Sequence, residues 1–173
     1  RLPIHAMISS TMGRAQQTAE IISKRIELPF EASDLFTEVR RPTSLMGRPT
    51  DDPQAQEIEK AWMRGYLGEG PKVEDGEHFS DLIPRVGMAL DYLKDHTAKH
   101  ILVVTHGLFL KALYARLVFD KDMTSTEFKK IVFSLRPDNT GITVFSHDKS
   151  SEYGITCWRM RVWNDHAHLG EVR

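Results

Sequence analysis

The chain has 173 residues, 40% of them hydrophobic and 27% charged, the profile of a globular protein long enough to bury a core. Lys and Arg total 23 against 24 Asp and Glu, so the net charge is -1; this excludes a strongly basic nucleic-acid binder or a polybasic membrane protein and leaves room for a local basic pocket. The single cysteine, Cys157, excludes an intramolecular disulfide and a cysteine zinc cage, and fits a reducing, cytoplasmic setting.

A short strand is expected at Ala6–Ser9, followed by a helix over Arg14–Ile26. Ala15, Ala19, Ile22 and Ile26 recur there at helical spacing, and Leu28-Pro29 ends the run. A second strand is expected within Leu28–Ala32. Ser33–Thr50 is broken by Pro42, Gly47 and Pro49 and reads as irregular. Asp52-Pro53 is a cap and first helical position, opening a mostly polar, surface helix over Pro53–Tyr66. Leu67–Gly76 reads as a loop. Phe79, Leu82, Ile83, Val86, Leu90 and Leu93 form the apolar stripe of a further helix.

Ile101-Leu102-Val103-Val104 is a continuous apolar run, too short to span a bilayer and suited to a parallel strand buried on both faces. Gly107–Val118 reads as a helix with Leu110, Leu113, Tyr114 and Leu117 on one face. Thr124-Ser125-Thr126-Glu127 has capping-box spacing and starts a helix reaching about Leu135. Thr140–Ser146 and Ile155–Val162 read as two strands joined around Asp148–Ser151, an antiparallel pair at the end of the sheet. The expected fold class is α/β, a three-layer sandwich with a mostly parallel central sheet and helices on both faces.

Two strand-to-helix junctions carry the chemistry. Ile8-Ser9-Ser10-Thr11-Met12-Gly13-Arg14 is one, and Val104-Thr105-His106-Gly107-Leu108 is the other. Ligands of open α/β sheets sit beyond the carboxyl ends of the strands, where helix starts offer free N–H groups and a positive dipole end to anions. Arg14 offers a planar, permanently charged fork; His106 can donate hydrogen bonds and titrates near neutrality.

These junctions resemble a known family. Ser9-Ser10-Thr11-Met12-Gly13-Arg14-Ala15-Gln16-Gln17-Thr18-Ala19 is similar to the Ser-Ser-Pro-Leu-x-Arg-Ala-x-Gln-Thr-Ala signature of the histidine phosphatase (phosphoglycerate mutase-like) superfamily. Val103–Gly107 resembles its second histidine motif, Phe36-Thr37-Glu38 stands where its acidic residue falls, and Asp75-Gly76-Glu77-His78-Phe79 resembles its Gly-Glu-Ser-Phe stretch. Asn139–Val144 and Trp163-Asn164-Asp165 also fit members.

The resemblance implies metal-free, cofactor-free phosphoryl transfer through a phosphohistidine. Carried over, Arg14 is a phosphate clamp, His106 stabilises charge on the transferred group, and Glu38 is the acid/base. The backbone at Gly107 and Leu108 adds N–H donors to phosphate. For Glu38 the alternative is a surface carboxylate paired with Arg40 or Arg41, which themselves form either a substrate entrance or a solvated turn. His78 replaces the serine of the pattern. His166 and His168 are read as surface residues rather than metal ligands, and Trp158 and Trp163 as packing.

The family's Arg-His-Gly motif, which supplies the nucleophile, is absent from the sequence. His5, His78, His96, His100 and His147 have the wrong context to replace it. The opening Arg1-Leu2-Pro3 carries no initiator Met, and we expect residues 1–173 to form a single domain lacking its first strand and helix, on the order of 30 residues. The expected function is hydrolysis of a phosphomonoester. The alternatives are a phosphoglycerate mutase and a non-catalytic phosphate-binding module. The expected partner is a small phosphorylated metabolite or phosphate ion, with no nucleic acid and no membrane; a homodimer is left open.

Overall fold

The computed structural model describes residues 3–149 and 154–170, so the centre of the expected turn at Asp148–Ser151 lies largely outside the described residues. The chain divides into two compact units, Arg1–Phe133 and Ser134–Arg173.

In the first unit β1 (Ala6–Ser10) leads through α1 (Gly13–Ile26) to β2 (Glu31–Ser33). Two helices follow, α2 (Pro53–Tyr66) and α3 (Phe79–Asp95), then β3 (Ile101–Val104), α4 (Gly107–Phe119) and α5 (Ser125–Ser134). The sheet has the order β2-β1-β3 and both pairings are parallel. The class is α/β, as expected. Among the described residues no helix is long and apolar enough to cross a membrane.

Local chemistry sets the helix ends. Glu27 closes α1 in the left-handed region at φ 56°. The Asp52 carboxylate accepts from the Gln54 and Ala55 amides at the start of α2, with Pro53 in the first helical turn. Thr124 and Glu127 exchange side-chain and backbone hydrogen bonds at the start of α5. His78 caps α3: its Nδ1 accepts from the Ser80 amide at 3.1 Å while Asp81 accepts from the His78 amide. An imidazole thus does what a serine commonly does at such a position.

Three packing expectations need correction. Helix α2 is not merely a surface helix: Ala55, Trp62 and Tyr66 on it are buried, with Trp62 stacked on Tyr66 and Tyr66 edge-on to Phe128. Helix α4 buries Phe109, Ala112, Leu113 and Ala115, whereas Leu110, Tyr114 and Leu117 are only half-buried. That helix is apolar nearly all round, so spacing alone does not choose its inner face. Strand β3 is half-buried along its whole length, because among the described residues it pairs on one side only, with β1.

The second unit contains β4 (Ile142–Lys149) and β5 (Thr156–Asp165), antiparallel, with register shifts between Ile142 and Phe145. They form a two-stranded sheet of their own rather than the end of the parallel sheet. Inter-strand pairing is a backbone property that hydrophobic pattern does not specify between sheets.

Tight packing at Gly76 gives a stability prediction. A Cβ there would lie 2.7 Å from the Trp62 ring and 2.8 Å from Pro42. Both neighbours are rigid and buried, so Gly76→Ala is expected to lower the unfolding free energy by about 1–3 kcal/mol in urea denaturation. Gly13→Ala meets nothing within 4 Å and is the control with little loss.

Candidate active site

Parallel pairing brings the carboxyl ends of all three strands to one rim. Ser9 is in register with Val104 of β3 and Ser10 with Ser33 of β2. The segments that follow each strand therefore start at that rim: Ser10 and Arg14 after β1, Glu38 after β2, His106 after β3.

His106 is the N-cap of α4 and is buried, and its Nε2 lies 2.8 Å from Ser10 Oγ. Ser10 Oγ also accepts from the Met12 amide at 3.2 Å. Burial holds the His106 pKa below the ordinary imidazole value; Arg14 and Arg85 push in the same direction and Glu38 opposes them.

Glu38 is gripped by backbone amides. Oε1 accepts from Val39 and Phe109, each at 2.9 Å, and Oε2 accepts from Leu108 at 3.2 Å. The carboxylate thus meets the dipole at the start of α4. The Leu108 amide, expected to face phosphate, is turned to Glu38. The surface-pairing alternative is not what forms: Arg41 pairs with Glu59, and the Arg40 amide donates to Glu77. Thr105 Oγ1 donates to the Phe36 carbonyl at 2.7 Å and ties the Glu38 segment to the end of β3.

Lys111 and Tyr66 also feel this carboxylate. Burial pulls the Lys111 pKa down and Glu38 opposes it; the ammonium donates to the Val132 carbonyl at 2.8 Å. Among the described residues the buried Tyr66 hydroxyl has no hydrogen-bond partner. Burial pushes its pKa up, and Glu38 and Glu77 push further.

The other histidines of this unit are engaged elsewhere. His5 and His100 stack at 5.0 Å near the amino ends of β1 and β3, the opposite rim. His96 accepts from the Ala98 amide. In the second unit His166 bonds the Asn164 carbonyl and His168 the Thr140 hydroxyl. His147 packs against Trp158. Among the described residues no group of three or more His, Cys, Asp or Glu is placed to hold a metal.

The model of the histidine phosphatase superfamily (branch 1) matches residues 1–166. The chain belongs to that superfamily. It is 32% identical over 115 residues to a probable phosphoglycerate mutase, GpmB, of Yersinia pestis (strain Pestoides F), and the match covers 65% of this chain and 52% of the relative. The chain therefore spans about half the length of the curated relatives it matches. Among solved structures, YhfR of Bacillus stearothermophilus superposes with a TM-score of 0.72 at 26% identity, over 97% of this chain and 77% of that one. The alpha-ribazole phosphatase of Shigella flexneri gives 0.70 at 22%, over 95% and 75%. A mycobacterial glucosyl-3-phosphoglycerate phosphatase in complex with inorganic phosphate gives 0.67 at 21%, over 95% and 78%.

For a histidine phosphatase superfamily chain, the sequence left two participants without a role. Ser10 sat inside a quoted motif with no partner to name. Arg85 lies among the polar positions of α3, and its bond to Glu77 spans the start of that helix, a relation that no spacing rule flags.

The depressed His106 pKa makes stability pH-dependent. The unfolded chain takes up the imidazole proton below roughly pH 6.5 more readily than the folded one. The contribution is fully present above that pH and is lost as pH falls toward the lower folded value. Urea unfolding is expected to weaken on acidification from about pH 7.5 to 5.5 more steeply for the parent than for His106→Gln. Equal slopes would show that this ring is not held neutral by the fold.

Proposed function

We propose that the protein is a phosphomonoester hydrolase working through a phosphohistidine. Three groups at one sheet rim support this: a permanent cation (Arg14), a buried histidine hydrogen-bonded to Ser10, and a carboxylate on the first turn of α4. The observation that carries it is the 2.8 Å bond between Ser10 and His106, which joins the two junctions.

In this reading a nucleophilic imidazole attacks phosphorus and the ester P–O bond breaks. Arg14 and His106 take the charge on the equatorial oxygens, and Glu38 gives its proton to the leaving oxygen. Water then attacks the P–N bond and returns a proton to Glu38, releasing phosphate. The family's nucleophile stands in an Arg-His-Gly motif that this sequence does not contain. The substrate is a small phosphorylated metabolite. The single cysteine fits a reducing, cytoplasmic compartment. A phosphoglycerate mutase is the second reading, favoured by the likeness to GpmB.

Phosphate binding tests the cradle without turnover. In titrations followed by ³¹P NMR, Arg14→Ala and His106→Ala are each expected to weaken inorganic phosphate about 10–100-fold. Unchanged affinity in both sinks the reading. The 173-residue chain is itself expected to form no phosphohistidine; turnover by it that vanishes in His106→Ala would move the nucleophile to His106.

A further inference from the structure

The acid of this reading sits on a segment with little regular structure of its own. Asp34–Phe36 makes one 3-10 turn, and the chain from Thr37 to Arg40 has neither helix nor strand. Yet the Glu38 carboxylate is held by three amides, two of them on another element. Something must fix the backbone that carries it.

The fixing groups are Glu77 and Arg85. Arg85 Nη1 donates to the Leu35 and Thr37 carbonyls, each at 3.0 Å. Glu77 Oε2 accepts from the Arg40 amide at 3.1 Å, and the Glu77 amide donates to the Arg40 carbonyl at 2.7 Å. These bonds bracket Glu38 on both sides. The pair is closed by a two-pronged contact, Nε to Oε1 at 2.7 Å and Nη2 to Oε2 at 2.8 Å. The Glu77 side chain is 3% exposed and that of Arg85 15%. The guanidinium also lies 5.0 Å from the centroid of Phe109, the residue whose amide grips Glu38 Oε1. One fork thus touches both the segment that bears the carboxylate and the residue that receives it. Within the described residues the side-chain hydrogen bonds of the pair end on each other and on residues 35, 37 and 40, with none to the rest of the core.

We propose that Glu77 and Arg85 are positioning residues for Glu38, setting its carboxylate against the first turn of α4 so that the proton reaches the leaving oxygen from a fixed point. The inference rests on the reading of Glu38 as the acid. Arg85 acts on the neighbouring group as well: with Arg14 it disfavours protonation of His106. The fork geometry is specific to guanidinium, and a lysine at 85 keeps the charge but not the two carbonyl contacts together with the pair.

Two measurements test this. In ¹H–¹⁵N spectra, Glu38→Ala gives the Leu108 and Phe109 amide positions when the carboxylate is gone. Arg85→Lys and Glu77→Gln are expected to move both resonances toward those positions and to leave Phe128 unmoved; unmoved Leu108 and Phe109 would overturn the proposal. In kinetics on a form that carries the Arg-His-Gly segment, both variants are expected to lower kcat/KM about 10–100-fold on an alkyl phosphate. On p-nitrophenyl phosphate, whose leaving group needs no proton, the loss is expected to be several-fold smaller. Equal losses on the two esters overturn the positioning role. A parent carrying the Arg-His-Gly segment that hydrolyses neither ester refutes the enzymatic reading instead, and the amide shifts then decide alone whether the pair sets the carboxylate. If one variant does not fold, the other reads the same quantities. If neither folds, the pair supports the whole fold and the proposal fails.

Discussion

Glu77→Ala is expected to lower the unfolding free energy by about 3–5 kcal/mol in urea denaturation, the size of effect seen when one partner of a buried ion pair is removed. The reason is the charge left behind. Arg85 would keep a guanidinium 15% exposed, facing the Leu35 and Thr37 carbonyls and the Phe109 ring but no carboxylate. The Arg40 amide would lose its acceptor as well. Removing both charges should cost less than removing one: Glu77→Ala with Arg85→Met is expected to recover part of the loss, because an apolar side chain has no charge to desolvate. Lys60→Ala is the contrast. Its pair with Glu57 joins side chains 68% and 75% exposed, and solvent screens it, so no measurable loss is expected. A Glu77→Ala protein as stable as the parent would show that water or another group satisfies Arg85.

Much of this architecture was legible in the sequence, because local signals and fold agreed. The Pro53–Tyr66 helix follows directly from Asp52-Pro53, a capping side chain followed by a residue pre-set for the first turn. The helix after Thr124 follows from its capping box. The junctions bearing Arg14 and His106 were legible because parallel strands place their carboxyl ends at one rim whatever lies between them in sequence. The rest turns on relations that sequence does not encode locally. Leu108 was expected to face an anion, and its amide does meet one, but the anion is the carboxylate of Glu38, seventy positions away by the numbering. The inner face of α4 was unreadable because its outer face is apolar too. The separate sheet of β4 and β5 depends on which backbone edges meet, and alternation of side chains is the same in either case.

In a form that carries the Arg-His-Gly segment, Glu38→Gln is expected to lower kcat about 10²–10⁴-fold on alkyl phosphates, the range that general acid catalysis supplies. If Glu38 is the acid, its two oxygens are not equivalent. Oε1 takes two amide hydrogens, from Val39 and Phe109, whereas Oε2 takes one, from Leu108 at the longer distance of 3.2 Å. Oε2 therefore retains the lone-pair capacity to carry and exchange a proton. A glutamine matches the shape of glutamate and leaves one amide oxygen to accept from the start of α4, but it has no acidic proton to give. Glu38→Ala removes the oxygen too and is expected to cost a further 1 kcal/mol or so of stability, about what losing a helix cap costs. The two variants separate the roles: both should be slow on an alkyl ester, while only Glu38→Ala should be markedly less stable. With p-nitrophenyl phosphate the glutamine variant should keep its first step, read as a burst of p-nitrophenolate, since that leaving group departs as a stable anion. Full activity of Glu38→Gln on an alkyl phosphate would leave Glu38 as the cap of α4 and nothing more, and the proton would have to come from another group at the same rim.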